Sequence, residues 1–185
     1  FTVLIAGLDR RPTEYKSLGY RTDAIIIASY DPNTNQIGMM HIPRDLFFTL
    51  DNGQLVRVNT LLGIGNGRRN TYGPQFMADT LQLNLGMYID AYLFFDFQAF
   101  EALIDAVGGI TVDVPYGLVD SSFPSMNFGY DPLYIPSGEQ QLNGYDALRY
   151  ARTRHADNDY YRGERQLQVM KAFRDKLDSP IAIQQ

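Results

Sequence analysis

The period of the apolar positions changes along the chain, and each period predicts an element. Phe1 to Ala6 is an unbroken apolar run closed by Gly7, and Ala24 to Tyr30 is a second; runs of this kind predict buried strands. Asp31-Pro32-Asn33-Thr34-Asn35 is turn chemistry and Gln36 to Ile42 resumes extended character, which predicts a hairpin with Arg44 and Asp45 at its exit. Asp51 to Gly73 carries five glycines and few periodic apolar residues, so it reads as loop. From Pro74 a helix is expected through Phe76, Met77, Thr80, Leu81 and Leu85 to a stop at Gly86, followed by an aromatic strand from Met87 to Phe95. Phe97, Phe100, Leu103, Ile104 and Val107 form the stripe of a second helix ending at Gly108-Gly109, and Ile110 to Val114 is a short strand. Strand, helix, strand with short joints predicts a βαβ unit. Tyr116 to Glu139 reads as a long loop, a lid or rim. Asn143 is placed to cap a helix through Tyr150, and Tyr161 to Leu177 is a final helix. The expected class is α/β of the mixed α+β kind, a central mixed sheet flanked by helices in a single domain over residues 1–185.

Composition narrows the function. With 45% apolar residues, 13 Tyr and 11 Phe, the chain has the profile of a folded domain. No window approaches the length of a membrane span. The chain opens directly into a strand, so a longer parent trimmed at its N-terminus is expected. The absence of cysteine excludes disulfides, thiolate metal sites and thiol nucleophiles. A net charge of -5 argues against nucleic acid as a partner. Of 16 basic residues 13 are Arg, and five of these fall between Arg149 and Arg165. The planar guanidinium fork suits bidentate phosphate or carboxylate contacts. A compact-anion site and an Arg-rich codon or heat-adaptation habit explain that bias equally well.

Three constellations could carry chemistry. Asp9 lies just past the first strand and Asp23 just before the second, so both carboxylates can reach one sheet edge. Two hard oxygen ligands there suit Mg²⁺, with water and phosphate oxygens completing the sphere; the alternative is two turn aspartates paired with neighbouring arginines. Arg149, Arg152, Arg154, Arg162 and Arg165 form the second constellation. An extended chain would point Arg152 and Arg154 to one face, and Arg162, Gln166 and Val169 share a helical stripe. Converging guanidiniums call for an anion between them, the alternative being ion pairs with Asp157, Asp159 and Glu164. The third is Ile42-Pro43-Arg44-Asp45 at a strand exit. His41 and His155 are too few for a histidine site and are read as structural or surface residues. No nucleotide-binding glycine loop occurs, since Gly63-Ile64-Gly65-Asn66-Gly67 lacks its preceding strand.

In order, Gly7-Leu8-Asp9-Arg10-Arg11, Arg21-Thr22-Asp23, Ile42-Pro43-Arg44-Asp45, Arg57-Val58-Asn59, Ile89-Asp90-Ala91-Tyr92, Asp105 to Pro115, Leu142 to Arg154, Arg162 and Arg165-Gln166 resemble the extracytoplasmic catalytic domain of the LytR-CpsA-Psr family. The resemblance runs from Phe1 to about Leu177. It implies a membrane-anchored phosphotransferase on the extracytoplasmic face of the cell membrane. Such an enzyme moves a glycopolymer from an undecaprenyl-type polyprenyl-pyrophosphate carrier onto a peptidoglycan acceptor, with Mg²⁺ as cofactor. By resemblance Asp9 and Asp23 hold the metal, and Arg21, Arg44, Arg57, Arg152, Arg154, Arg162 and Gln166 surround the pyrophosphate. Asp9, Asp23, Arg44 and Arg152 are the catalytic set. The prenyl chain would occupy an apolar tunnel, for which Met77, Leu81, Phe94, Phe100 and Ile104 are candidates that would serve equally as core residues. The chain departs from the family pattern at Leu8, where a small polar residue is usual, at Arg57, usually Lys, and at Gly63 to Tyr72, where Arg68-Arg69 interrupts a simpler glycine turn. The last of these points to an uncommon glycopolymer. A Mg²⁺-dependent polyprenyl-pyrophosphate phosphohydrolase and a non-catalytic polyprenyl-phosphate binding module share the same donor site, and an arginine ion-pair network in a structural domain is the remaining alternative.

Overall fold

The computed structural model describes residues 1–9, 21–125, 129–153 and 159–178. Two compact units divide the chain, Phe1–Phe97 and Gln98–Gln185.

In the first unit, strands β1 (Thr2–Leu8), β2 (Thr22–Asp31) and β3 (Gln36–His41) precede a short ladder of β4 (Phe47–Thr49) and β5 (Leu55–Arg57). A 3-10 turn (Val58–Thr60), helices α1 (Leu61–Arg68) and α2 (Gly73–Leu85), and strand β6 (Ala91–Phe95) follow. The sheet order is β3-β2-β1-β6, with β1 antiparallel to β2 and parallel to β6. The sheet is mixed, as expected, and the β2–β3 hairpin forms where its turn chemistry placed it. The core gathers Leu4, Ile25 and Ile27 from the sheet with Leu61, Leu62, Phe76, Met77 and Leu81 from the helices. At about 1.5–3 kcal/mol for each large apolar side chain fully buried, this cluster is the main stabilising term of the unit. Helix α2 ends where Gly86 takes φ +67°, a left-handed cap that glycine adopts without strain.

The second unit contains most of α3 (Phe97–Ala106), then β7 (Ile110–Val114), β8 (Leu118–Asp120), β9 (Leu133–Ile135), β10 (Gly138–Leu142), α4 (Gly144–Arg152) and α5 (Asp159–Leu177). Its core is built from Ile104, Ile110, Val112, Val114, Leu133, Ile135, Tyr150 and Val169. Asn143 caps α4 as expected, its side-chain oxygen accepting the Asp146 N–H at 2.9 Å. The Asn143→Ala variant is therefore expected to lose about 1 kcal/mol in urea denaturation, since an N-terminal donor is left without its partner.

Three expectations are corrected. The strands flanking α3 do not share a sheet: β6 pairs with β1, whereas β7 pairs antiparallel with β10. The partner strand Gly138-Glu139-Gln140-Gln141-Leu142 buries only Leu142, so its sequence carries no strand period. Residues 51–73, read as loop, hold β5, the 3-10 turn and α1. The three glycines of α1 each oppose a helix by about 1 kcal/mol, and burial of Leu61 and Leu62 overrides them. The stretch 116–139 contains the β8–β9 hairpin, in which Leu118, Asp120, Leu133 and Ile135 face inward while Val119 and Tyr134 face out. No helix of the described residues is long and apolar enough to cross a membrane.

Candidate functional site

In the first unit the site begins with an irregularity in the sheet. Gly7 pairs with Ala24 and Leu8 with Thr22, so Asp23 is an extra residue bulged out of β2. A bulge re-aims the side chain it carries. The ladder resumes beyond it, with the Asp9 N–H donating to the Arg21 carbonyl at 2.9 Å. Asp9 and Asp23 therefore stand at neighbouring positions of one sheet edge, as the sequence predicts, Asp9 exposed and Asp23 largely buried. Among the described residues no three His, Cys, Asp or Glu gather as a metal-ligating group. Two hard carboxylates are nonetheless the protein's usual share of a Mg²⁺ sphere, so the donor set fits that ion.

Arg44 reaches this edge from the exit of β3. Beyond His41, the Ile42 N–H still donates to Ile25 at 2.8 Å; Pro43, which has no N–H to give, ends the ladder. The Leu46 N–H closes a turn onto Pro43, and the 3-10 segment ties that turn down from behind: Asn59 N–H to the Arg44 carbonyl at 3.3 Å and Val58 N–H to Leu46 at 2.8 Å. Thus held, Arg44 donates from Nη1 to Asp23 Oδ2 at 2.7 Å. Arg44 Nε lies 3.4 Å from Asp45 Oδ2, and Asp45 Oδ1 lies 3.8 Å from Arg57 Nε. Asp23, Arg44, Asp45 and Arg57 thus form an alternating chain of charge. Its inner pair is partly shielded and charge-assisted; its outer pair is exposed, worth about 0–1 kcal/mol, and available to exchange partners. Arg21 is exposed beside Asp9. The bridging role of Asp45 depends on Arg57, twelve positions on, and carries no local signal.

In the second unit the arginines read as one cluster divide by role. Arg149 donates to the Asp131 and Pro132 carbonyls at 2.9 and 2.8 Å and pairs with Asp131 and Asp146, so it fastens a loop. Tyr145 donates its hydroxyl to the same Asp131, and this bond holds the phenol above its ordinary pKa of 10.0. Arg165 donates from Nε to the Tyr150 carbonyl at 3.0 Å and from Nη2 to that of Thr153 at 2.7 Å, satisfying carbonyls at the end of α4 that have no partner within the helix. Both are structural, which corrects the expectation of five converging guanidiniums. Arg162, Gln166 and Val169 share a buried stripe of α5, as expected, with Arg162 only 1% exposed. Gln166 Nε2 donates to the Ala151 carbonyl at 3.4 Å, while its buried Oε1 has no hydrogen-bond partner among the described residues.

Arg152 ends α4 rather than lying in an extended segment, and its guanidinium is 5.6 Å from the Phe123 ring centroid. Its charge offsets only part of what raises the pKa of Glu101, chiefly burial and then Asp105. Arg10, Arg11, Arg154, His155 and Asp157 lie outside the described residues, as does the side chain of Asp159. The tunnel candidates take core positions: Met77 and Leu81 in the first core with Phe94 packed against it, Ile104 in the second with Phe100 packed against it.

The first unit thus carries an aspartate bulged toward an arginine, and the second an arginine buried on a helix stripe, within a mixed α+β fold. The family model described as the LytR_cpsA_psr family matches residues 1–185, and the chain belongs to that family. The polyisoprenyl-teichoic acid–peptidoglycan teichoic acid transferase TagV of Bacillus subtilis (strain 168) is 32% identical over 184 residues, 97% of this chain and 44% of that protein. The crystal structure of B. subtilis TagV matches with a TM-score of 0.77 at 30% identity, covering 97% of this chain and 65% of that one. TagT bound to LIIa-WTA matches with a TM-score of 0.76 at 25% identity, covering 97% and 64%. The chain spans about half the length of the curated relatives it matches.

Proposed function

We propose that this chain is the catalytic part of a cell-wall glycopolymer transferase acting outside the cell, with a polyprenyl-pyrophosphate-linked glycopolymer as donor and a peptidoglycan hydroxyl as acceptor. The observation that carries the reading is the Asp23–Arg44 pair at the β2 bulge: a carboxylate and a guanidinium oriented by each other at a sheet edge, in a chain whose relatives bear teichoic acid transferase names. In the proposed reaction the acceptor oxygen attacks the phosphorus nearer the glycan. The bond from that phosphorus to the bridging oxygen breaks, polyprenyl phosphate departs with the electron pair, and the hydroxyl proton is released.

Asp9 and Asp23 are the residues that would hold Mg²⁺, which when bound supplies neutralising charge to the pyrophosphate and the departing phosphate. Arg44 presents its guanidinium to phosphate oxygens while Asp23 fixes its plane. Arg21 and Arg57 add exposed positive charge to the same unit, and Arg152, Arg154, Arg162 and Gln166 are the phosphate-contacting groups assigned to the second. No covalent enzyme intermediate is required, so the rate enhancement rests on placement and on electrostatics.

The test is turnover of a synthetic polyprenyl-pyrophosphate-linked oligosaccharide, with Mg²⁺ and then with chelator, with and without peptidoglycan fragments. Metal-dependent release of polyprenyl phosphate with glycan appearing on the fragments is the expected result. Release to water alone would make the chain a phosphohydrolase, turnover indifferent to chelator would remove the metal, and binding without turnover would make it a lipid-binding module.

A further inference from the structure

The junction at the end of α4 is held more tightly than a helix end requires. At Thr153 the backbone leaves the helix, with φ -57° and ψ 142°. This residue is fixed at three atoms: its N–H donates to the Arg149 carbonyl at 3.0 Å, its carbonyl accepts from Arg165 Nη2 at 2.7 Å, and its hydroxyl donates to Asp120 Oδ2 at 2.5 Å. Asp120 and Thr153 are each 1% exposed. Asp120 stands at an inward position of β8, between Leu118 and the turn at Ser122, whose N–H donates to its Oδ1 at 3.1 Å. A carboxylate in such a place is costly unless its oxygens are hydrogen-bonded, and bonds to an ionised acceptor are stronger than neutral ones.

The same short segment also reaches the neighbouring side chain. Phe123, three residues after Asp120 and itself buried, lies against the Arg152 guanidinium. Residues 120–123 therefore grip both the backbone corner at Thr153 and the charged end of Arg152.

We propose that Asp120 is a positioning residue for pyrophosphate recognition: by holding the Thr153 hydroxyl it fixes the aim of Arg152. The inference deepens the transferase reading and rests on it. Misplacing a phosphate-binding guanidinium by about an ångström can cost up to about a hundredfold in rate, whereas helix α4 itself is already capped by Arg165 and loses little.

Thr153→Val removes the hydroxyl at nearly constant shape, Thr153→Ser retains it, and Asp120→Asn retains the shape of the acid without its charge. The variants are compared with wild type for KM and kcat on the polyprenyl-pyrophosphate-linked oligosaccharide, for Kd of polyprenyl pyrophosphate in detergent micelles, and for Tm. Expected are a rise of about tenfold in KM and Kd for Thr153→Val and Asp120→Asn, beyond what the fall in Tm from the lost buried hydrogen bond accounts for, and a return to within about twofold for Thr153→Ser. Kinetics and affinity unchanged in Thr153→Val overturn the proposal, as does a Thr153→Ser variant as impaired as Thr153→Val. So does an affinity loss that merely follows Tm. A wild type that binds the lipid without turnover refutes the transferase reading and leaves the Kd series to judge Asp120; one that neither binds nor turns over refutes both.

Discussion

Asp23→Asn is expected to lower turnover of the pyrophosphate-linked donor by about a hundredfold or more, the range associated with removing one preorganised electrostatic group from a reaction that builds anionic charge. Asparagine keeps the size of the side chain and one oxygen, so the bulge at Leu8–Thr22 has no steric reason to rearrange. What is lost is the charge that orients Arg44 across 2.7 Å and one of the two hard ligands proposed for Mg²⁺. Asp45 lies 3.4 Å from Arg44, and the guanidinium plane is expected to turn toward it. The stability loss is expected to be about 1–3 kcal/mol, the worth of a shielded hydrogen bond to a charged group. Asp9→Ala separates the two effects, because Asp9 is exposed: the same loss of turnover is expected with stability unchanged within about 0.5 kcal/mol. Purified variants assayed at saturating Mg²⁺, with urea melts alongside, check both. Turnover within tenfold of wild type in either variant would remove the carboxylate pair from the mechanism.

The sequence declares what depends on local pattern and stays silent where distant residues decide. Strands β1 and β2 are legible because every residue of their apolar runs argues for burial, and α4 is legible from its cap at Asn143. By contrast, β10 buries a single leucine and becomes a strand only because β7 offers a ladder to it, while the glycine-rich α1 is held by the packing of Leu61 and Leu62. The candidate site divides likewise. Asp9 and Asp23 at one sheet edge follow from where two strands end and begin, but the bulge that re-aims Asp23 has no signature in Thr22-Asp23-Ala24. Arg149 and Arg152 are the same residue type one helical turn apart. Both guanidiniums lie over the Phe123 ring, at 5.4 and 5.6 Å from its centroid, while Arg149 is also committed to the Asp131 and Pro132 carbonyls, and nothing within α4 announces that difference. Asp120 gives the one overlooked hint, a charged residue at an inward position of a short alternating strand.

Gly144→Ala is expected to be the most destabilising single-methyl change in the second unit. A Cβ on Gly144 would stand 2.2 Å from the Glu101 carbonyl oxygen and 2.7 Å from the Glu101 Cα and carbonyl carbon, all backbone atoms of α3 that no rotamer change can move. The two helices are also pinned at this point, the Gly144 N–H donating to Asp105 Oδ1 at 2.7 Å, so relief requires the start of α4 to withdraw and break that bond. Overpacking of this kind costs about 1–3 kcal/mol and more where only backbone can yield, which sets the expectation at about 3 kcal/mol or above. Because α4 carries Arg152 at its far end, a rise in KM for the lipid donor is expected to accompany the loss. Gly67→Ala is the matched control: it adds the same methyl inside α1 with nothing within 4 Å, and there the gain in helix propensity is expected to stabilise by about 0.5–1 kcal/mol. Guanidinium denaturation of both variants reads the two signs directly. A Gly144→Ala variant that loses less than about 1 kcal/mol would mean that α3 and α4 do not approach as closely as their backbones indicate, and that Asp105 anchors a looser joint.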